Sequence, residues 1–135
     1  MPRQAFRTEL APRPAGPYSQ SVRIDNIVVG AGQAGIRPDG SIVDGVREQT
    51  RQAFANLLAA MAEAGATGQD VVSVRVFLRH PEQFAEMNEA YAEVFTEPYP
   101  ARTTVFVGLP AGLEVEVDAL AVLPRTDPSE TGSGS

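Results

Sequence analysis

The chain contains no cysteine. That absence excludes disulfides, a thiolate nucleophile and cysteine-ligated metal together. Histidine occurs once, as His80, at a strand-to-helix turn, where it reads as a surface residue. A lone histidine without cysteine leaves little to build a metal site from, so none is expected. Basic residues are outnumbered: the formal net charge is −6 and the pI about 4.7. This works against nucleic acid as the main partner, because phosphate binding needs a basic face. It leaves room for a local basic pocket that takes a small anion. No apolar run approaches the roughly 20 residues that a spanning helix requires. The N-terminal stretch MPRQAFRTELAPRP also lacks an apolar core of signal-peptide length. The expectation is a soluble, cytoplasmic protein with no membrane partner.

What is present fits a small globular domain. At 135 residues, 43% hydrophobic and 21% charged, the chain has room for one core. Residues 1–124 read as a single domain. Residues 125–135 are rich in Pro, Gly and Ser and are expected to be disordered.

The early chain is broken by Pro2, Pro12, Pro14 and Gly16, with a short strand expected near Ala5–Thr8. Ser21–Ile24 and Ile27–Gly30 are strand candidates joined through Asp25-Asn26, a hairpin pattern. The glycine-rich GAGQAG at 30–35 is not expected to bind a dinucleotide. It runs into the turn RPDGS and not into a helix. Val46, Thr50, Ala53, Phe54, Leu57, Met61 and Ala64 recur at three and four, predicting a helix over 46–64 that ends at Gly65. In Val71–Leu78 the alternation predicts Val72, Val74, Val76 and Leu78 on one face, and Ser73, Arg75 and Phe77 on the other. A second helix is expected from Pro81 to about Phe95, with Phe84, Met87, Tyr91 and Phe95 as its apolar stripe. Asn88 falls within that stripe, and a buried amide must find a partner in the backbone or in a ligand.

The stretch EPYPARTTVFV (97–107) combines stiffness with chemistry. Pro98 and Pro100 hold the chain extended, and Thr103–Val107 read as a strand. Arg102 therefore enters a strand from a stiff loop with a defined direction. Its planar fork matches a carboxylate or a phosphate. A structural ion pair is the competing reading. In the last strand candidate, Glu114–Leu123, Glu114, Glu116 and Asp118 alternate with Val115, Val117 and Ala119. One face is acidic and the other apolar. Spacing cannot choose among the three acids, and such a face is commonly just solvated. The predicted order is strand, strand, helix, strand, helix, strand, strand. Two helices on one face of a mixed sheet make an α+β layer, and the uncovered apolar face predicts oligomerisation.

Six blocks in order carry a family resemblance: GPYSQSV (16–22), VVGAGQ (28–33), QTRQAFANLLAAMAEAGA (49–66), FAEMNEAYAEVF (84–95), PYPARTTVFV (98–107) and LPAGLEVEVDALAVL (109–123). Together they resemble the RidA family of reactive-intermediate imine/enamine deaminases. The resemblance implies a chorismate-mutase-like α+β fold, a homotrimer with pockets at the subunit interfaces, and cofactor-free hydrolysis of 2-imino or 2-enamino acids to 2-oxo acids and ammonia. It places the substrate-carboxylate arginine on Arg102 and the carboxylate that works on the attacking water on Glu116. The substrate-binding positions fall on Tyr18, Ala31, Gly32, Asn88 and Thr104. Two of these depart from common members: Thr104 stands where many have cysteine, and Ala31 where serine is common. These departures keep two alternatives open, a catabolic deaminase of the aminoacrylate or aminomuconate type and a non-enzymatic binding or protein-stabilising module.

Overall fold

The computed structural model describes residues 2–125. Apart from Arg125, the expected disordered tail lies outside the described residues. Six strands and two helices follow in chain order. They are β1 (Gln4–Phe6), β2 (Ser21–Ile24), β3 (Ile27–Ala34), α1 (Val46–Glu63), β4 (Val71–Leu78), α2 (Phe84–Val94), β5 (Ala101–Phe106) and β6 (Val115–Val122). They form one sheet in the order β1-β2-β3-β6-β4-β5. Neighbours are antiparallel except β4 and β5, which run parallel. α1 and α2 pack side by side on one face of this mixed sheet. The α+β expectation is met.

Periodicity explains the core. The whole predicted stripe of α1 is buried, from Val46 through Ala64. It meets Val74, Val76 and Leu78 of β4 and Val115, Val117, Ala119 and Ala121 of β6, also buried. Phe54 of α1 packs edge-to-face on Tyr91 and Phe95, with centroids 5.5 and 5.4 Å apart. Across the helix pair, Arg47 bonds Glu89 and Arg51 bonds Glu93 at the surface. Such exposed pairs align helices more than they stabilise them.

Two features of the reading need correction. Val72 does not share the face of Val74 and is 46% exposed. The register of β4 against β6 shifts between Val71 and Ser73, so one extra residue turns Val71 inward and Val72 outward. In α2 the stripe begins later than expected. Pro81–Gln83 form a single 3-10 turn, and Phe84 at the start of α2 is 42% exposed.

Buried amides fasten the loops. Gln20 accepts from Thr8 N–H at 2.6 Å and donates to the Pro12 carbonyl at 2.8 Å, which holds the N-terminal arm. Gln49 donates to the Val43 and Gly112 carbonyls and accepts from Glu114 N–H. Asn56 donates to the Ile36 carbonyl at 2.7 Å. The glycines of GAGQAG do stand at G-x-G-x-x-G spacing, but β3 continues through Ala34 and no helix follows directly. Gly30 and Gly35 are there for close packing: an added Cβ would come within 2.5 Å of Leu57 and 2.4 Å of Gln49.

Leu57 sits on the seam between α1 and the sheet. Leu57→Ala is expected to cost about 3 kcal/mol, through lost transfer energy plus a cavity. Urea unfolding at fixed protein concentration checks this; a cost near zero would place the seam outside the core.

Candidate functional site

Strand register decides the side of the sheet on which each candidate lies. Arg102 pairs with Val74, and Thr104 with Val76, both of which face the helices. Arg102 therefore rises on the helix side, at the outer edge of the sheet. Its Cζ lies 4.6 Å from the centroid of the Tyr91 ring and 5.7 Å from that of Phe84, both on α2. These are cation–π distances, and they hold the guanidinium between two rings. Arg102 makes no hydrogen bond or ion pair among the described residues. Seven of the other ten arginines do: Arg23 and Arg37 donate to oxygens of the chain, and Arg47, Arg51, Arg75, Arg79 and Arg125 each reach a carboxylate.

Beside Arg102 lies a cavity of about 310 Å³, lined by Asn88, Tyr91, Ala92, Tyr99, Pro100 and Arg102. Two polar atoms here are buried without a partner among the described residues, Asn88 Oδ1 and Tyr91 Oη. Leaving a buried polar atom unpaired costs about 1–3 kcal/mol. Burial pushes the Tyr91 phenol above its ordinary range, against the pull of Arg102. An unanswered cation and a phenol hydroxyl between aromatic walls have the chemistry to take a small anion, while Asn88 Oδ1 could accept from a donor beside it. Thr104 shares the strand face with Arg102 but does not line this cavity.

Glu116 lies on the opposite face. It pairs with Phe77 in β4 and stands between the buried Val115 and Val117. Its carboxylate lies over Gly32, where a Cβ would come within 2.5 Å of Oε2, so a larger residue there would push the carboxylate aside. A bulge makes that approach: the register of β3 against β6 shifts between Gly30 and Gln33, so Ala31 and Gly32 stand opposite Asp118 alone. Burial, and then the neighbouring charge of Asp118, push the Glu116 carboxyl above the usual range.

Geometry separates the three acids that spacing could not. Glu114 accepts from Gln83 Nε2 at 2.6 Å. Asp118 takes both arms of Arg75, at 2.9 and 2.7 Å. Glu116 alone has no hydrogen-bond partner among the described residues.

The predicted site residues thus fall into two groups. Arg102 and Asn88 sit together on the helix side, near the β5 edge. Glu116, Ala31 and Gly32 sit together on the open face, where the Ala31 N–H bonds the Gln20 carbonyl at 2.9 Å. Tyr18, just before Gln20, is 51% exposed, and its Oη accepts from the Ala15 N–H at 3.1 Å. One chain does not bring Arg102 and Glu116 together. Sequence reasoning missed Tyr91, Tyr99 and Phe84 as neighbours of Arg102. The available signal was the spacing Phe84–Asn88–Tyr91, which stacks one helical face, and Tyr99 three residues before Arg102.

A carboxyl with a raised native pKa binds more protons folded than unfolded. Its contribution to stability therefore falls as pH rises from about 4.5 through the higher folded value. Glu116→Gln is expected to raise Tm at pH 7 by roughly 1–3 °C, with the gain vanishing below pH ~4. Differential scanning calorimetry across pH tests this; a loss of stability at pH 7 would contradict the raised carboxyl.

Comparison with known proteins agrees with this architecture. The profile of the family described as Endoribonuclease L-PSP matches residues 8–123. A RutC family protein of Pyrococcus abyssi is 44% identical over 124 residues, covering 90% of this chain and 98% of the relative. A Dermatophagoides farinae protein named 2-iminobutanoate/2-iminopropanoate deaminase is 38% identical over 125 residues, with 90% and 98% covered. The crystal structure of RidA from an Antarctic Psychrobacter superposes with a TM-score of 0.85 at 37% identity, covering 89% of this chain and 99% of the other. With the chorismate-mutase-like α+β fold and the match from Thr8 to Leu123, the chain belongs to the RidA, or Endoribonuclease L-PSP, family.

Proposed function

We propose that this protein is a cofactor-free deaminase that hydrolyses 2-imino and 2-enamino acids to 2-oxo acids and ammonia. The observation that carries the reading is Arg102, a guanidinium fixed between aromatic rings with no carboxylate among the described residues to answer it. A 2-imino acid supplies that carboxylate. It also carries an electrophilic carbon next to it, so seating the carboxylate positions the carbon. The deaminase name of the Dermatophagoides relative supports the same chemistry. The net charge of −6 works against a polyanionic substrate such as RNA.

Glu116 is the acid–base group in this reading. Water adds to the carbon of the protonated imine and gives one proton to Glu116, forming a carbinolamine. Glu116 returns that proton to the nitrogen, the C–N bond breaks, and the hydroxyl proton leaves with ammonia as ammonium. No electrons change hands. A raised carboxyl suits both steps, because it holds a proton more readily than an ordinary carboxylate and can still give it back.

Because Arg102 and Glu116 lie on opposite faces, the complete pocket forms between copies of the chain. We assign a homotrimer, in which the β5 edge of one copy abuts the open face of the next. Tyr18 then closes the pocket, and Asn88 Oδ1, unpartnered in the single chain, is free to accept from the substrate. The uncovered face carries Val29, Val105 and Val122, all exposed in the single chain, and suits such burial.

With 2-iminopropanoate generated in situ by an amino-acid oxidase, the protein should speed imine loss. Arg102→Ala and Arg102→Lys should each lower kcat/KM by about 100-fold or more, since lysine keeps the charge and loses the fork. Undiminished activity in both would remove the carboxylate clamp. Light scattering should give the trimer mass at micromolar concentration, and a monomer would remove the shared pocket.

A further inference from the structure

The acidic row of β6 poses a selection problem that the deaminase reading leaves unsolved. Glu116 and Asp118 sit two residues apart on one strand face, and chemically either could take a proton from water. What distinguishes them comes from another strand. Arg75 of β4 stands directly opposite Asp118 in the antiparallel register. Its Nε and Nη2 each donate to one Asp118 oxygen, at 2.9 and 2.7 Å, a bidentate fork. The guanidinium also lies 5.7 Å from the centroid of Phe77, its neighbour on the same strand face. Both Asp118 oxygens are thereby engaged.

We propose that Arg75 is a positioning residue for the deamination: by occupying both oxygens of Asp118, it leaves Glu116 as the carboxylate that handles the water's proton and anchors a negative group beside it. The proposal rests on the deaminase reading for its role, and on the strand geometry for its substance.

The pair contributes little to the stability of the single chain. There the Arg75 side chain is 64% exposed and that of Asp118 18%, and ion pairs with so much solvent contribute little to folding. The fork is instead well placed to fix direction. Asp118 stands opposite the Ala31–Gly32 bulge on one side and opposite Arg75 on the other. It cannot swing toward Glu116 without giving up two charge-assisted bonds.

The charged groups around Glu116 can be named element by element. β6 contributes Asp118, and Glu114, which Gln83 engages, stands just ahead of the strand on the other side of Glu116. β4 contributes Arg75, with Arg79 at its end bonded to the Leu109, Pro110 and Leu113 carbonyls. β3 brings only the backbone of Ala31 and Gly32, and β5 brings Thr103 and Val105, which carry no charge. In the proposed trimer, Arg102 of a second copy approaches from across the interface. The Asp118 charge already raises the Glu116 carboxyl alongside burial.

Two substitutions then act in opposite directions. Asp118→Asn removes the neighbouring negative charge, so Glu116 should titrate lower, by about one pH unit. Arg75→Gln removes the compensating cation and frees Asp118, so Glu116 should titrate higher, by about half a unit. The measurement is a carboxyl-carbon NMR titration of the full chain. The Glu116 resonance is assigned by its disappearance in Glu116→Gln, and assembly is checked by light scattering. The acidic limb of the kcat/KM profile should follow the same two shifts. A midpoint that ignores both changes, or moves the same way in both, overturns the proposal. If Arg75→Gln fails to fold, the nearly isosteric Asp118→Asn decides alone, and an unmoved midpoint overturns it. Opposite shifts without imine turnover would support the charge arrangement and overturn only the deaminase reading. Turnover with an indifferent midpoint would do the reverse.

Discussion

The two-residue period of β6 governs the rest of the molecule. This strand is bonded on both sides, to β3 and to β4. Val115, Val117, Ala119 and Ala121 face the helices and are buried. Glu116 and Asp118 must then face the other way, because successive side chains on a strand point to opposite sides. Both neighbours depart from regular pairing along this strand: β3 by the Ala31–Gly32 bulge opposite Asp118, and β4 by the shift near Val71. A strand packed against α1 and bonded on both sides resists distortion, so the strands beside it absorb the irregularity. One of those bulges makes the space in which the Glu116 carboxylate lies over Gly32.

The same alternation divides the chemistry. Arg102 belongs to the helix side by its pairing with Val74, and Glu116 to the open side by its pairing with Phe77. No rotamer change carries a side chain through a hydrogen-bonded sheet. A reaction that needs both groups therefore needs a second copy of the chain, and the exposed apolar side chains of the open face give that copy a reason to dock. In the proposed trimer, assembly and catalysis share one origin, the placement of charged groups on the two faces of a single sheet.

Polar groups in this protein are treated in two ways. Gln20, Gln49 and Asn56 are deeply buried and tie loops to the core through their amides. Asn88 Oδ1 and Tyr91 Oη are buried and tie nothing. Arg102 lacks a counter-ion among the described residues, and the Glu116 carboxyl is raised by burial and by a like charge. Each of these works against folding of the single chain, and all belong to the two halves of the candidate site. Local rules are expected to fail where a site is held ready for something outside the chain.

Short-range periodicity was legible in the sequence without the structure. The buried stripe of α1, the inward valines of β6, the hairpin of β2 and β3 and the stiff entry to Arg102 all follow from residues adjacent or one helical turn apart. Those patterns are set by the geometry of a single strand or helix, so neighbouring residues suffice to read them. The family motifs carried the candidate residues, yet spacing on β6 could not choose among three acids. That choice depends on Arg75, 43 residues from Asp118, and on Gln83, 31 residues from Glu114. The exposure of Val72, the rings around Arg102 and the separation of Arg102 from Glu116 are of the same kind. Each depends on register between strands or on packing between elements distant in the chain. A hydrogen-bond partner is a matter of proximity in space, and only the tertiary structure brings those atoms within reach.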